Sequence, residues 1–64
     1  MIYVTLTSSA IDYVGYNAAI RVMLVAFNHG RSYTLTGVPD YHFDGICHAA
    51  SPGGYWNEYL KGNY

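Results

Sequence analysis

The chain has one cysteine, Cys47, so no internal disulfide framework is available, and its histidines lack the Cys/His spacing of a structural zinc site. Basic residues are just as scarce. Arg21, Arg31 and Lys61 are the only lysines and arginines, set against Asp12, Asp40, Asp44 and Glu58, for a formal net charge of −1. Three cations neutralise few phosphates, so no duplex DNA binding is expected of a monomer. No apolar run approaches the roughly 20 residues that span a bilayer, and no membrane role is expected. The start "MIYVTLTSS" lacks a basic n-region, which with the free cysteine gives the expectation of a reducing cytoplasm.

What the chain has instead is aromatic residues: eight tyrosines, two phenylalanines and one tryptophan in 64 residues. A single domain of this length hides roughly 60% of its unfolded surface, so few residues must make the core. Each aromatic side chain buries about 150 to 250 Å², which suits a small core, and self-association would add to it.

Periodicity sets the order of elements. "MIYVTLT", residues 1–7, alternates Ile2, Val4 and Leu6 with polar or aromatic positions, the pattern of an N-terminal strand. "IDYVGYN" gives a second strand, in which Gly15 predicts a bulge or a close backbone approach, and Asn17 supplies the turn. The run from Ala19 to Phe27 is apolar at nearly every position and predicts a central strand covered on both faces. "NHGR" then forms a hairpin, with Asn28 and Gly30 able to take positive φ, and "SYTLT" is the next strand.

Pro39 fits the first turn of a helix whose buried stripe is Phe43, Ile46, Cys47 and Ala50, with Asp44 and His48 on the wet side. Gly45 weakens that helix. Ser51 before Pro52 caps a second, shorter helix that Gly62 is placed to end. Strands first and helices last predict an α+β domain: a small antiparallel meander of three to four strands, followed by two short C-terminal helices packed on one face. One domain fills residues 1–64.

Catalytic arrangements are not prominent. Cys47 and His48 are helical neighbours pointing about 100° apart, which favours a buried structural cysteine over a nucleophile. His29, His42 and His48 read as solvated, with no metal expected, and Asp40 in a first turn meets the helix dipole favourably. No enzyme activity and no cofactor are expected. The last fourteen residues, "SPGGYWNEYLKGNY", are richer. There Trp56 and Leu60 share one helical face, predicted as core, Tyr55 and Tyr59 a second, and Asn57 and Lys61 a third.

These residues form a familiar pattern. "SSAIDYVGYN", Phe27, Gly30, Tyr33, Val38–Pro39 and then Ser51, Gly54, Trp56, Asn57, Leu60, Lys61 and Tyr64 resemble the KTSC domain over roughly residues 8 to 64. That family takes its name from the C-terminus of some lysyl-tRNA synthetases and also occurs as free-standing small proteins of bacteria and phages; the synthetase association implies RNA. Residues 1–7 would be an extra strand. Two departures stand out: the family's Tyr-x-Tyr is present as Tyr33 and Leu35, and Val22, Leu24 and Ala26 are apolar where polar residues are expected.

The combined expectation is a small non-enzymatic binding module for a nucleotide-like or single-stranded RNA ligand. Tyr33, Tyr55 and Tyr59 would stack on the ligand, and Arg31, Asn57 and Lys61 would make polar contacts. The alternative is an accessory factor of phage type that meets a host protein by surface complementarity, as an inhibitor or a sequestering oligomer. A homo-oligomer is expected in either case. Its interface would join the Ile2, Val4 and Leu6 strand to the Val22, Leu24 and Ala26 stripe, and would pool Arg21 with Arg31 near a symmetry axis.

Overall fold

A computed structural model describes all residues, 1–64. Four strands, β1 (Ile2–Thr5), β2 (Ile11–Asn17), β3 (Val22–Phe27) and β4 (Ser32–Leu35), form an antiparallel sheet in sequence order. Helix α1 (Asp40–His48) and helix α2 (Pro52–Tyr55) follow, and α2 continues into a π-helical turn over Trp56–Leu60. The chain is an α+β domain, as the element order predicts.

Register explains which side chains meet the helices. Val4 pairs with Val14, Val14 with Val25 and Val25 with Tyr33, so these side chains share one face of the sheet. Tyr16, Met23 and Leu35 continue that face one pleat away. Together with Ile11, Val38, Ile46, Trp56 and Leu60 they form the buried core. The Tyr16 hydroxyl donates a buried hydrogen bond of 2.5 Å to the Val38 carbonyl, and its ring stacks on Phe43 at 5.2 Å. One tyrosine thereby fastens β2 to both the segment before α1 and α1 itself.

The strand expected from Ala19 starts at Val22. The Asn17 side-chain oxygen accepts from the Ala19 N–H at 3.1 Å, and Arg21 takes a φ of 55°, so the turn runs to Arg21 before extended backbone resumes. The bulge falls at Asp12, between the Ile11–Phe27 and Tyr13–Ala26 pairs. Gly15 serves the close approach instead. A Cβ there would lie 2.8 Å from both the Tyr3 ring and the Met1 sulfur, because Tyr3 pairs directly across from Gly15 and lays its ring over it. In the β3–β4 hairpin Gly30 alone takes positive φ, at 94°. Asn28 acts through its side chain, which donates to the Ser8 carbonyl at 3.0 Å.

Pro39 sits one position ahead of α1, whose first residue is Asp40. Of the predicted stripe, Ile46 is buried and Phe43 and Cys47 pack partly on the core, whereas Ala50 lies beyond the helix end and is exposed. Ser51 caps α2 as predicted, its hydroxyl accepting from the Gly54 N–H at 3.2 Å, and Gly62 ends the segment with a φ of 80°. The Lys61 N–H reaches back to the Trp56 carbonyl at 2.8 Å, five residues away, which closes the wide turn.

The residues expected at an interface lie on the two opposite faces of the sheet. Val4 and Leu6 pack toward the core on the helix side and Ile2 stands at its margin, 68% exposed. Val22, Leu24 and Ala26 face the other way. On that face Ala26 is buried within the chain and Val22 and Leu24 are half-buried, while on the helix side Met23 and Val25 are buried and Phe27 is partly so. Arg21 and Arg31 flank opposite ends of β3, about 20 Å apart at roughly 3.3 Å per residue.

Candidate functional site

At the Phe27 end of β3 the sheet and the C-terminal turn part to leave a pocket of about 400 Å³. Tyr33 and Leu35 of β4 enter it from the sheet, Trp56 and Asn57 from the π-helical turn, and Lys61 from the residue that follows it. His29 closes it from the hairpin and Tyr64 from the C-terminal residues.

Packing fixes the aromatic wall. Phe27 meets Trp56 edge-on at 5.3 Å, meets Tyr33 edge-on at 5.6 Å and stacks on His29 at 5.6 Å with 11° between the rings. Tyr33 and Trp56 lie 5.3 Å apart at 34°. Trp56 is 7% exposed, so it acts as a core residue at the edge of the pocket, whereas Tyr33 is 39% exposed. The Arg31 N–H donates to His29 Nδ1 at 3.4 Å, which leaves the proton of the neutral ring on Nε2.

The six expected ligand contacts divide. Tyr33, Asn57 and Lys61 line the pocket together. Arg31 is exposed on the hairpin beside His29 but is not part of the wall. Tyr55 and Tyr59, 4.6 Å apart, belong to a second cluster built around His42.

His42 is a correction to the expected solvated histidine: it is 8% exposed. Its Nδ1 lies 2.9 Å from the Tyr55 hydroxyl, and the rings of Tyr41 and Tyr64 approach to 4.5 and 5.5 Å. Tyr55 lies over Gly45, where a Cβ would collide with the phenol hydroxyl. The glycine that weakens α1 on propensity is what admits the ring. Burial, with the neighbouring phenols Tyr59, Tyr41 and Tyr64, pushes the Tyr55 hydroxyl above its ordinary value.

Sequence reasoning missed His29 and Tyr64 as pocket residues. His29 carried a weak signal, since a residue two positions beyond a strand's last aromatic can fold back over it through a tight turn. Cys47 is partly buried, and burial followed by the nearby Asp44 raises its thiol, the opposite of an activated nucleophile. No three His, Cys, Asp or Glu side chains gather as a metal site would need. No helix is long and apolar enough to cross a membrane.

The fold and pocket define a class: a small α+β domain whose four-stranded meander carries a helical hairpin and opens one aromatic pocket where the two meet. The chain belongs to the KTSC domain family, whose model matches residues 7–64. Among solved structures it is similar to the crystal structure of a KTSC domain protein from Yersinia pestis. The TM-score is 0.91 and the sequence identity 26%, over 97% of this chain and 87% of that one. No curated protein matches the chain.

Proposed function

We propose that the protein is a non-enzymatic binding module for a nucleotide-like or single-stranded RNA ligand seated in the pocket between Tyr33 and Lys61. The observation that supports this reading is the convergence of an exposed tyrosine, an amide and an ammonium in one concavity, contributed by Tyr33, Asn57 and Lys61. A base stacks on Tyr33, the Asn57 amide serves its polar edge, and Lys61 meets the negative charge. The volume lies within the range of about 300 to 1,000 Å³ typical of small-molecule sites.

Trp56 is the only tryptophan and edges the pocket, so its fluorescence is a direct probe. Titration with ribonucleotides and short single-stranded RNA is expected to change its emission saturably. An unchanged emission up to millimolar ligand, with no heat of binding by calorimetry, would remove the reading.

A second reading, self-association or docking on another protein, draws on different residues. Met1, Tyr3 and Ile20 are each more than half exposed, and Tyr3 lies on the same face as Leu24. That surface is separate from the pocket and is compatible with a ligand bound there.

A further inference from the structure

Resting on the nucleotide reading above, we infer that the pocket takes a single nucleotide unit, one base with one terminal phosphate, and does not track a strand. Three observations carry this.

The first is the charge around the pocket. Lys61 lines it, no Asp or Glu side chain does, and Arg31 is exposed on the hairpin beside it. The remaining cation, Arg21, is at the far end of β3. The pocket lining thus holds one ammonium, with no second lysine or arginine in it for a following phosphate.

The second is the direction a strand would have to take. The pocket meets the tyrosine cluster at Tyr64, and Tyr41 and Tyr59 there have exposed rings on which further bases would stack. Yet Asp40 and Asp44 are exposed on α1, which carries Tyr41 and His42, and Glu58 is exposed in the turn that carries both Tyr59 and the pocket residue Asn57. A strand following these rings would run along α1 and the tyrosine cluster, whose residues include no lysine or arginine to meet its phosphates.

The third is the aromatic wall itself. Phe27, Tyr33 and Trp56 pack on one another and His29 stacks on Phe27, which gathers the rings into one cluster in place of the spaced series that strand-binding grooves use. A terminal phosphate carries up to two negative charges against one for an internal phosphodiester, and it fits a lone ammonium flanked by an imidazole.

A free nucleoside monophosphate and the phosphorylated end of a strand both supply this chemistry. The test compares the four ribonucleoside monophosphates with their nucleosides, and with oligoadenylates of increasing length with and without a 5′-phosphate, by calorimetry on the intact protein. At least one monophosphate is expected to bind about tenfold tighter than its nucleoside. Lys61→Gln, at an exposed position, should abolish that difference while leaving nucleoside binding in place. If phosphorylated oligonucleotides match the monophosphate, strand ends are ligands; if only the monophosphate binds, the free nucleotide is the ligand; either result supports the inference. Affinity that climbs steadily with strand length, or a nucleoside that binds as well as its monophosphate, overturns the inference and leaves the nucleotide reading standing. Failure of every nucleotide and RNA to bind overturns that reading too.

Discussion

The Tyr55 hydroxyl and His42 Nδ1 lie 2.9 Å apart, and the contact exists because Gly45 leaves no side chain between α1 and the phenol. This predicts a sign reversal. Gly→Ala inside a helix ordinarily gains roughly 1 kcal/mol. At Gly45 the added methyl collides with Tyr55, and overpacking costs about 1 to 3 kcal/mol, so Gly45→Ala should lower the melting temperature. In a Tyr55→Ala background the same substitution should become stabilising. Additive effects in the double mutant would show that the two residues do not meet.

Tyr55 also predicts a loss of stability at alkaline pH. Its folded-state pKa is raised, chiefly by burial. Below about pH 10 the phenol is neutral in both states and its contribution is complete. As pH rises further the unfolded chain loses this proton first, so stability falls until the folded pKa is passed. Thermal melts from pH 8 to 11 should therefore decline less steeply for Tyr55→Phe than for the wild type, and parallel curves would count against the assignment.

Much of this was legible in the residues and some was not, for reasons that differ by element. The alternation of Ile2, Val4 and Leu6 and the pattern of "IDYVGYN" are local, and local patterns place strands well. The start of β3 was not legible, because Arg21 takes a left-handed φ that no sequence rule assigns to arginine. The Ser51–Pro52 start was legible as a capping signature, but the π-helical turn that follows has no local signature at all. In the site, Asn57 and Lys61 followed from helical spacing. The separation of Tyr55 and Tyr59 from Tyr33 did not, because it depends on which face of the helical segment meets α1, a long-range relation.

The N-terminal strand carries a prediction of its own. Tyr3 covers Gly15 across the β1–β2 pair, and any Cβ at that position meets the ring. Gly15→Ala should destabilise the protein by about 1 to 3 kcal/mol. Combined with Tyr3→Ala it should cost less than the sum of the two single changes, measured as a double-mutant cycle by urea denaturation. Strict additivity would mean that β1 does not dock as described.

Self-association is testable separately from ligand binding. If the outer sheet face joins two copies, sedimentation at tens of micromolar should give a species larger than one chain. Leu24→Glu, on that face beside Gly15, should return it to a folded monomer. A monomeric wild type would retire the outer face as a self-contact and would leave the pocket unaffected.

The central claim is that the concavity between Tyr33 and Lys61 is the ligand site, and chemical-shift mapping tests it most directly. Nucleoside monophosphates titrated into isotope-labelled protein are expected to shift the resonances of His29, Tyr33, Asn57 and Lys61 and the Trp56 indole together, with one saturation curve. Those of Tyr3, Leu24 and Arg21, remote from the pocket, should stay in place. No shifts up to millimolar ligand, or shifts centred on the outer sheet face with the pocket residues unmoved, would contradict it.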